Sequence, residues 1–544
     1  MIVRYNSKIK TLNNNPAPKI SPFFEPSTLM LQAFAALAAL AASFVFPKAL
    51  LTLSQRAGTA LEKNAKRASL LLCGILLGVL VAVNRRVLLS FMNSADEHSC
   101  YFFALCLRAG KLWAAPHPLK EFFEVPHLGA IGEKWFSVYP PGWPLLWAVA
   151  LRIGLKDLIN PLLTTAAAGI FYSLGSRIYG RGAALLSLVI LLISPFFLLT
   201  GAAYFSHNAC LLTIGVFLLA MLRWEKTGRP SFAVLAGLML GYGLAIRYLT
   251  TAVMALPVLL HWLRRLKAGK TDGKGNFLFL SSAGALVLLH AVYNRLVTGS
   301  FLDAPNHFLH SHEKLGFIAG YTPQIAVQYV WQRLLYLLDW TPPFLILFFL
   351  AGLGQKKRAW ERILQASVLM LPAGYFFYYS WGGNQYGPRY YFEAYPLIAL
   401  QASSAFLDFL KNKNPAVRKG MMGLGLAMIG LTAPLLLRHF LFFHQVSEER
   451  QAVYRAAEEK TEKPALVFLR GFLGDILVLA PEDTPRNTPF LDGPVIYAHD
   501  LEDKNKLLRA SFPERRAYLA SYDRKKHEPV LLRENDSLPG RSSL

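Results

Sequence analysis

Residues 68–83, ASLLLCGILLGVLVAV, form an uncharged apolar run that is followed at residues 94–101 by SADEHSCY. As a helix, the run and its short apolar continuation to Phe91 are long enough to cross a bilayer. Asp96 and Glu97 therefore lie at a membrane–water boundary, where loss of hydration raises the pKa of a carboxyl group toward the range of a general base. We predict that these two carboxylates carry the chemistry.

A second interpretation of the same pair stays open. Acids are favoured in the first turn of a helix, so Asp96 and Glu97 could simply cap a short helix at the membrane surface. The loop that contains them, roughly residues 92–158, is rich in His, aromatic residues and Pro, and includes YPPGWP at 139–144. The apolar remainder of the chain is predicted to hold this loop against the bilayer.

The composition is that of a helical membrane protein. Of the 544 residues, 54% are hydrophobic and only 17% are charged, and long leucine-rich runs recur from Leu29 to Phe443. Helices are expected because lipid offers no partners to backbone polar groups. The net charge of +24 does not indicate nucleic-acid binding, since acids and bases nearly balance from Gln445 onward. The basic excess falls in every second loop of the apolar part, as in cytoplasmic loops.

The charge pattern predicts a topology and three domains. Residues 1–67 contain a polar tail, an ambiguous apolar segment at 29–46 and a basic cytoplasmic linker. Residues 68–444 are predicted to form the transmembrane domain, and residues 445–544 a small soluble domain. Apolar segments between the basic loops give eleven spans plus segment 29–46. This topology places the loop 92–158 and the soluble domain on the outer side.

The soluble domain is predicted to be α/β or β-rich, because short apolar segments alternate there with turn-rich stretches. The predicted strands are Ala465–Leu469, Val495–Ala498, Ala517–Ser521 and Pro529–Leu532. No nucleotide-binding or metal-finger motif occurs in this region, so the sequence assigns it no function. The predicted fold is therefore an all-α polytopic membrane protein of about 11–12 transmembrane helices with a small C-terminal α/β domain.

The order of several motifs resembles that of the GT-C glycosyltransferases, which use polyprenyl-phosphate-linked sugars. Lipid A aminoarabinose transferases and protein O-mannosyltransferases are the familiar branches. The resemblance covers roughly residues 68–260, and residues 290–400 more loosely. The matching motifs are Asp96-Glu97 with Tyr101, YPPGWPLL at 139–146, NPLL at 160–163, RIYGR at 177–181, SPFF at 194–197, Ser206-His207 and GPRY at 387–390.

Two positions depart from those branches. The familiar branches usually carry an acidic residue at the outer end of the helix that follows the basic turn, where this chain has Ser206-His207. Protein mannosyltransferases also carry an Arg where this chain has Asn160. The usual donor and acceptor assignments therefore do not transfer directly to this chain.

The resemblance implies inverting transfer of a sugar from a lipid phosphate to an acceptor hydroxyl or amine on the outer face of the membrane. We predict that Asp96 is the base that takes the acceptor proton and that Glu97 orients the acceptor or braces Asp96. The leaving phosphate needs cationic stabilisation, for which Arg247 and Arg389 are the predicted residues. Arg247 interrupts an apolar helix end, so snorkelling to lipid headgroups is its alternative role.

Further substrate contacts are predicted for polar and aromatic side chains of the loops and outer helix ends. These residues are Tyr101, His117, Tyr139, Asn160, His207 and Tyr386. Aromatic rings stack on sugars, but they also populate interfacial belts, so an anchoring role stays open for them. For each histidine the alternative is a structural hydrogen bond.

No cofactor is expected from the sequence. None of the four cysteines shows metal-binding spacing. His307, His310 and His312 are a weak candidate metal site, because their spacing fits no established pattern. The predicted partners are a polyprenyl-phosphate-linked sugar donor, a lipid, glycan or protein acceptor, and the bilayer of a bacterial inner membrane. The site and the C-terminal domain are predicted to face the periplasm.

Two other functions stay open at this point. A transporter or flippase of lipid-linked sugars would also be polytopic and basic on its inner side. Such a protein should show paired half-repeats and helices broken at the midplane, and the sequence shows no internal duplication. An inactive scaffold subunit would keep the fold without the activity.

Overall fold

Long helices build most of the protein, whose structure is a computed structural model describing residues 63–309, 315–318, 320–355, 358–382, 386–470, 485–523 and 526–533. The helices are α1 (Ala65–Ala82), α2 (Ala95–Arg108), α3 (Gly142–Arg152), α4 (Ile159–Ile178), α5 (Arg181–Ile193), α6 (Pro195–Ala202), α7 (His207–Thr227), α8 (Pro230–Lys267), α9 (Gly273–Thr298), α10 (Pro305–Leu309), α11 (Pro323–Trp340), α12 (Leu345–Leu353), α13 (Ala359–Tyr375), α14 (Tyr395–Leu410), α15 (Pro415–Lys460) and α16 (Asn505–Ser511). The strands are β1 (Leu128–Ile131), β2 (Lys134–Ser137), β3 (Ala465–Leu469), β4 (Val495–His499), β5 (Arg516–Asp523) and β6 (Glu528–Arg533). A 3₁₀ turn at Arg389–Ala394 precedes α14.

Within the described chain, five helices are long and apolar enough to cross a membrane. They are α1 with the turn that continues it to Val87, α7, α8, α9 and α15. A sixth span is reached if α5 and α6, bent by 69° between Ile193 and Pro195, count as one. The sequence predicted eleven spans, and the count differs in part because α8 counts once here although two of the predicted spans, 232–245 and 251–263, lie in it. Other predicted spans correspond to shorter helices, such as α13 and α14 with 17 and 16 residues. Segment 29–46 lies outside the described residues.

Helix α8 folds back on itself at Arg247, whose backbone (φ −146°, ψ 85°) is not helical. A straight helix of 38 residues would be about 57 Å long. Both ends of α8 nevertheless contact the last turns of α7. The Arg223 guanidinium lies 5.9 Å from the centre of the Phe232 ring, and Arg265 donates to Glu225 at 3.2 Å. The two arms therefore run in opposite directions, with Arg247 at the apex.

The apex of α8 packs against the start of α3. The Tyr242 hydroxyl donates to the carbonyl of Gly142 at 2.8 Å, and a Cβ at position 142 would lie 2.7 Å from the carbonyl oxygen of Ala245. Only glycine permits so close an approach of two backbones. The Pro-Pro-Gly motif therefore brings the loop after α2 to the end of the bundle where Arg247 lies.

The C-terminal strands form one sheet in the order β4-β3-β5-β6, in which only β6 runs antiparallel to its neighbour. All four predicted strand segments are confirmed. Alternate residues of β3 face opposite sides: Val467 packs with Tyr454 of α15, and Phe468 packs with Phe122 of the loop after α2. Helix α15 continues to Lys460, beyond the predicted domain start at residue 445. The sheet is thus held between α15 and the loop that carries Asp96.

Candidate active site

Helix α2 begins with a capping box, a Ser at the N-cap and a Glu three residues later. The Ser94 hydroxyl accepts from the backbone N–H of Glu97 at 3.2 Å and donates to Glu97 Oε2 at 2.9 Å. Of the two acids, Glu97 therefore takes part in capping α2, as the second interpretation of the pair predicts. The neighbouring Asp96 side chain makes different contacts.

Glu97 is enclosed by protein, with 1% of its surface exposed. Its Oε1 accepts from the backbone N–H of Tyr204 at 2.8 Å, which ties α2 to the segment between α6 and α7. Burial raises the pKa of Glu97 to about 7, although the Tyr204 amide and the Ser94 hydroxyl act in the opposite direction. Glu97 therefore joins α2 to the segment before α7, and its role in orienting the acceptor or bracing Asp96 stays a prediction.

The raised pKa of Glu97 should make stability depend on pH. Its pKa rises from an ordinary 4.5 to about 7 on folding. The stabilisation is therefore complete below about pH 4 and is lost as the pH rises through 7, a difference of about 3 kcal/mol. Glu97→Gln keeps an acceptor oxygen and cannot ionise. We expect thermal unfolding in detergent between pH 5 and 8 to show the wild type losing stability relative to this variant. Parallel pH curves for the two proteins would contradict the assignment.

Asp96 is the more exposed member of the pair, with 23% of its side chain accessible. Its Oδ1 accepts from the Tyr139 hydroxyl, and its Oδ2 lies 3.2 Å from Nη1 of Arg389. Burial would raise the pKa of Asp96, but the Arg389 guanidinium, with His127 and Tyr139, holds it well below its usual range. The expectation of a raised pKa is therefore correct for Glu97 and wrong for Asp96.

Arg389 reaches Asp96 because the chain before it makes a tight turn. Gly387 has φ of +81°, and a Cβ there would lie 2.8 Å from the ring of Trp340. The Arg389 guanidinium then lies 4.9 Å from the centre of the Phe205 ring. The glycine of the GPRY motif is thus needed for both its backbone conformation and its lack of a side chain.

We expect Gly387→Ala to destabilise the protein by about 2–4 kcal/mol, because it combines an unfavourable φ with a clash against Trp340. Gly132→Ala is the matched control: φ at Gly132 is +55°, but nothing lies within 4 Å of the added Cβ. That variant should lose only about 1 kcal/mol. Thermal unfolding in detergent checks both, and equal losses would show that the Trp340 contact does not matter.

The second arginine, Arg247, is paired with a carboxylate that the sequence analysis missed. Its Nε lies 3.3 Å from Oε1 of Glu393, which also contacts His207 Nδ1 at 3.0 Å. Glu393 has no exposed surface. It stands alone among apolar and aromatic residues in YYFEAYP at 390–396, which is the signal that could have identified it. The fold brings Glu393 to His207, one of the positions at which the sequence departs from the pattern it resembles.

The two guanidinium groups contact consecutive residues of the same two segments. Arg389 stacks on Phe205, and Nη1 of Arg247 donates to the adjacent Ser206 at 3.4 Å. Arg247 also lies over the ring of Tyr390, the residue that follows Arg389, at 5.7 Å. Each guanidinium has its own carboxylate, Asp96 or Glu393. The predicted pair of phosphate-binding arginines is therefore brought together in one place.

Apart from His117, the other residues predicted to contact the substrate divide into two groups. Tyr139 lies in the site, hydrogen-bonded to Asp96, and Tyr101 is partly exposed with its ring 5.2 Å from that of Trp147. Three others are buried and hold the framework. Asn160 donates to the carbonyls of Ala203 and Phe205, His207 contacts Glu393, and Tyr386 accepts from Asn93.

His117 belongs to a different part of the surface. It lines a cavity of about 740 Å³ together with Lys111, Trp113 and Lys120, and its ring stacks on Phe512 of the C-terminal domain at 5.4 Å. The lining residues of this cavity come from the loop between α2 and β2. His117 therefore packs the loop against the C-terminal domain.

The weak metal candidate is only partly described. His307 Nε2 lies 2.7 Å from the Tyr248 hydroxyl, while His310 and His312 lie outside the described residues. Among the residues with described positions, no group of three His, Cys, Asp or Glu side chains could hold a metal ion.

The chain is similar to known proteins in part of its sequence and in its fold. Residues 157–293 match the family model of dolichyl-phosphate-mannose-protein mannosyltransferases. The crystal structure of ArnT from Cupriavidus metallidurans bound to undecaprenyl phosphate is similar at TM-score 0.53 and 13% identity, over 87% of this chain and 98% of that one. Its apo form gives TM-score 0.50 and 13% identity, over 85% and 97% of the two chains.

The apo oligosaccharyltransferase from Archaeoglobus fulgidus is more distant, at TM-score 0.42 and 14% identity, over 80% of this chain and 63% of that one. None of the curated proteins compared with the chain matches it. The predicted resemblance to GT-C glycosyltransferases is confirmed, and the chain has an ArnT-like membrane fold with a small C-terminal sheet.

Proposed function

We propose that the protein is an integral-membrane inverting glycosyltransferase that moves a sugar from a polyprenyl-phosphate donor to an acceptor on the outer face of the membrane. The observation that carries the proposal is the partly exposed Asp96 in contact with Arg389, with a second guanidinium group, Arg247, on the neighbouring residues Ser206 and Tyr390. This arrangement offers a base for an acceptor and cations for a leaving phosphate in one site. The family match and the likeness to ArnT bound to undecaprenyl phosphate support the same donor class.

The proposed reaction is a single displacement at the anomeric carbon. Asp96 takes the proton of the acceptor hydroxyl or amine, whose lone pair forms the new bond to the sugar. The bond between the anomeric carbon and the phosphate oxygen breaks, and its electron pair leaves with the lipid phosphate. Arg247 and Arg389 stabilise the charge that builds up there. Because attack comes from the opposite face, the configuration at the anomeric carbon inverts.

Donor binding would also make Asp96 a better base. In the structure Arg389 contacts Asp96 at 3.2 Å and keeps the pKa of the carboxyl low. A phosphate that takes over part of the Arg389 guanidinium weakens this contact. The pKa of Asp96 then rises toward its ordinary value, which improves proton transfer. Sugar donor and acceptor activation are thereby coupled through one arginine.

The side of the membrane follows from the distribution of charge. Basic residues concentrate at the end of the bundle opposite Arg247, for example Arg264, Arg265 and Lys267 at the end of α8. The positive-inside rule supports the proposal that this end faces the cytoplasm, in what we propose is a bacterial inner membrane. The site and residues 445–544 then face the periplasm. The acceptor is a lipid, a glycan or a protein that presents a hydroxyl or amine there.

The test uses purified protein with radiolabelled polyprenyl-phosphate sugars and membrane extract as acceptor. The wild type should move label from the lipid to a new product. Glu124→Gln changes an exposed acid of the same loop and should transfer label normally, whereas Asp96→Asn should not. Absence of transfer by the wild type with every donor tried would overturn the proposal. Label that stays on the lipid but crosses a vesicle membrane would identify a transporter instead.

A further inference from the structure

Glu393 is a fully buried carboxylate that contacts two side chains of the site. Its Oε1 lies 3.0 Å from His207 Nδ1 and 3.3 Å from Arg247 Nε. Its Oε2 is buried without a hydrogen-bond partner among the described residues. A buried carboxylate is costly unless it is paired, and Arg247 supplies the cation that pairs with it. Since Glu393 has no exposed surface, it does not touch a substrate itself.

Glu393 and Arg389 lie at opposite ends of the same 3₁₀ turn. Arg389 pairs with Asp96 at the start of α2, and Glu393 pairs with Arg247 at the apex of α8. The turn therefore joins the two ion pairs, with a cation at one end and an anion at the other. A single short element sets the relative positions of both arginines.

The contacts of Arg247 leave part of its guanidinium available. Nε is shared between Glu393 and Thr250, Nη1 donates to Ser206, and Nη2 donates to Tyr375 at 3.1 Å. A guanidinium has five N–H donors, so Nη1 and Nη2 each keep one more. The Arg247 side chain is 16% exposed, unlike Glu393. The remaining N–H groups of the two terminal nitrogens can therefore meet an anion.

We infer that Glu393 is a positioning residue that holds Arg247 in place to bind the phosphate of the lipid donor. The inference rests on the proposed function and adds to it a residue outside the predicted site. Glu393 fixes the Nε edge of Arg247 and, through His207, anchors that edge to the first turn of α7. The geometry predicts that loss of the Glu393 charge affects donor binding through Arg247 alone.

The test measures binding of undecaprenyl phosphate and donor kinetics for Glu393→Gln, Arg247→Met and the double variant. Each single variant should weaken binding of undecaprenyl phosphate about tenfold and lower kcat/KM for the donor by at least as much, because Arg247 both binds the phosphate and stabilises its developing charge. In the Arg247→Met background, Glu393→Gln should have almost no further effect, because the two residues act as one unit. Additive losses would mean a general structural role and would overturn the inference.

Glu225→Gln is the matched control. Glu225 also contacts a histidine and an arginine, His261 at 3.0 Å and Arg265 at 3.2 Å, but at the opposite end of α7 and α8. It should leave binding of the lipid phosphate unchanged. If Glu393→Gln does not fold, Glu393→Asp keeps the charge and shortens its reach, and should bind the lipid phosphate several-fold more weakly. Wild-type binding by Glu393→Asp would overturn the inference. A wild type that does not bind the lipid would instead refute the proposed function.

Discussion

Asp96→Asn should abolish most sugar transfer and at the same time tighten the binding of undecaprenyl phosphate. Asn cannot accept the acceptor proton, and loss of a general base costs about 10²–10⁴ in rate. The same change removes the negative charge that contacts Arg389 at 3.2 Å in the free protein. In this variant, Arg389 can bind a phosphate without first breaking an ion pair. We therefore expect the lipid phosphate to bind about tenfold more tightly.

The two halves of this prediction are measured separately. Transfer is followed with radiolabelled donor, and binding with undecaprenyl phosphate alone, which has no sugar to transfer. Tyr139→Phe supplies a useful comparison, because it removes the hydroxyl that donates to Asp96 but leaves the carboxylate. It should retain most of the transfer rate. An Asp96→Asn protein that transfers at the wild-type rate would remove Asp96 from the role of base. Unchanged lipid binding would show that Arg389 does not exchange between Asp96 and the phosphate.

Arg389→Ala should reduce the affinity for undecaprenyl phosphate by about 100-fold, with a similar or larger loss of transfer. Arg389 is largely buried and its contact with Asp96 is charge-assisted, so its removal leaves both a carboxylate and a bound phosphate without their cation. Arg389→Lys should lie between the two, because an ammonium keeps the charge but not the planar fork. Binding of the lipid phosphate by titration in detergent measures the series.

Arg152→Ala is the matched control for this prediction. Arg152 is an exposed arginine of α3 whose side chain donates to the carbonyl of Arg108. Its removal should change neither lipid binding nor transfer by more than about twofold. If Arg389→Ala bound the lipid as well as Arg152→Ala did, Arg389 would have no phosphate-binding role. The double variant Asp96→Asn/Arg389→Gln separates this from misfolding, since it removes both charges of the pair and leaves none unpaired.

The structural features that depend on residues close together in the sequence were predicted correctly. The membrane class follows from apolar runs, since lipid permits only helices there. The four C-terminal strands follow from short alternating segments between turns. The out-and-back path of α8 follows from Arg247, because a charge between two apolar arms marks a helix end. The position of Asp96 and Glu97 at the start of α2 is equally local.

The roles within the site depend on contacts between distant parts of the chain. Asp96 and Glu97 are adjacent in sequence, but Asp96 meets Arg389 and Glu97 meets the backbone of Tyr204. These partners, not the shared membrane boundary, set the two pKa values in opposite directions. Asn160 likewise became a framework residue because the chain from Ala203 to Phe205 passes beside it.

The sequence by itself determined that this is a polytopic membrane protein with a carboxylate pair at a helix start, an arginine at a helix apex and a small C-terminal sheet. Each of these follows from hydropathy, periodicity or capping within a few residues. Only the tertiary structure decided which carboxylate meets which arginine, and that Glu393 supplies the partner of Arg247. The physical reason is that electrostatic interactions act through space, so the charge state and role of a side chain are set by whatever the fold places within a few ångströms of it.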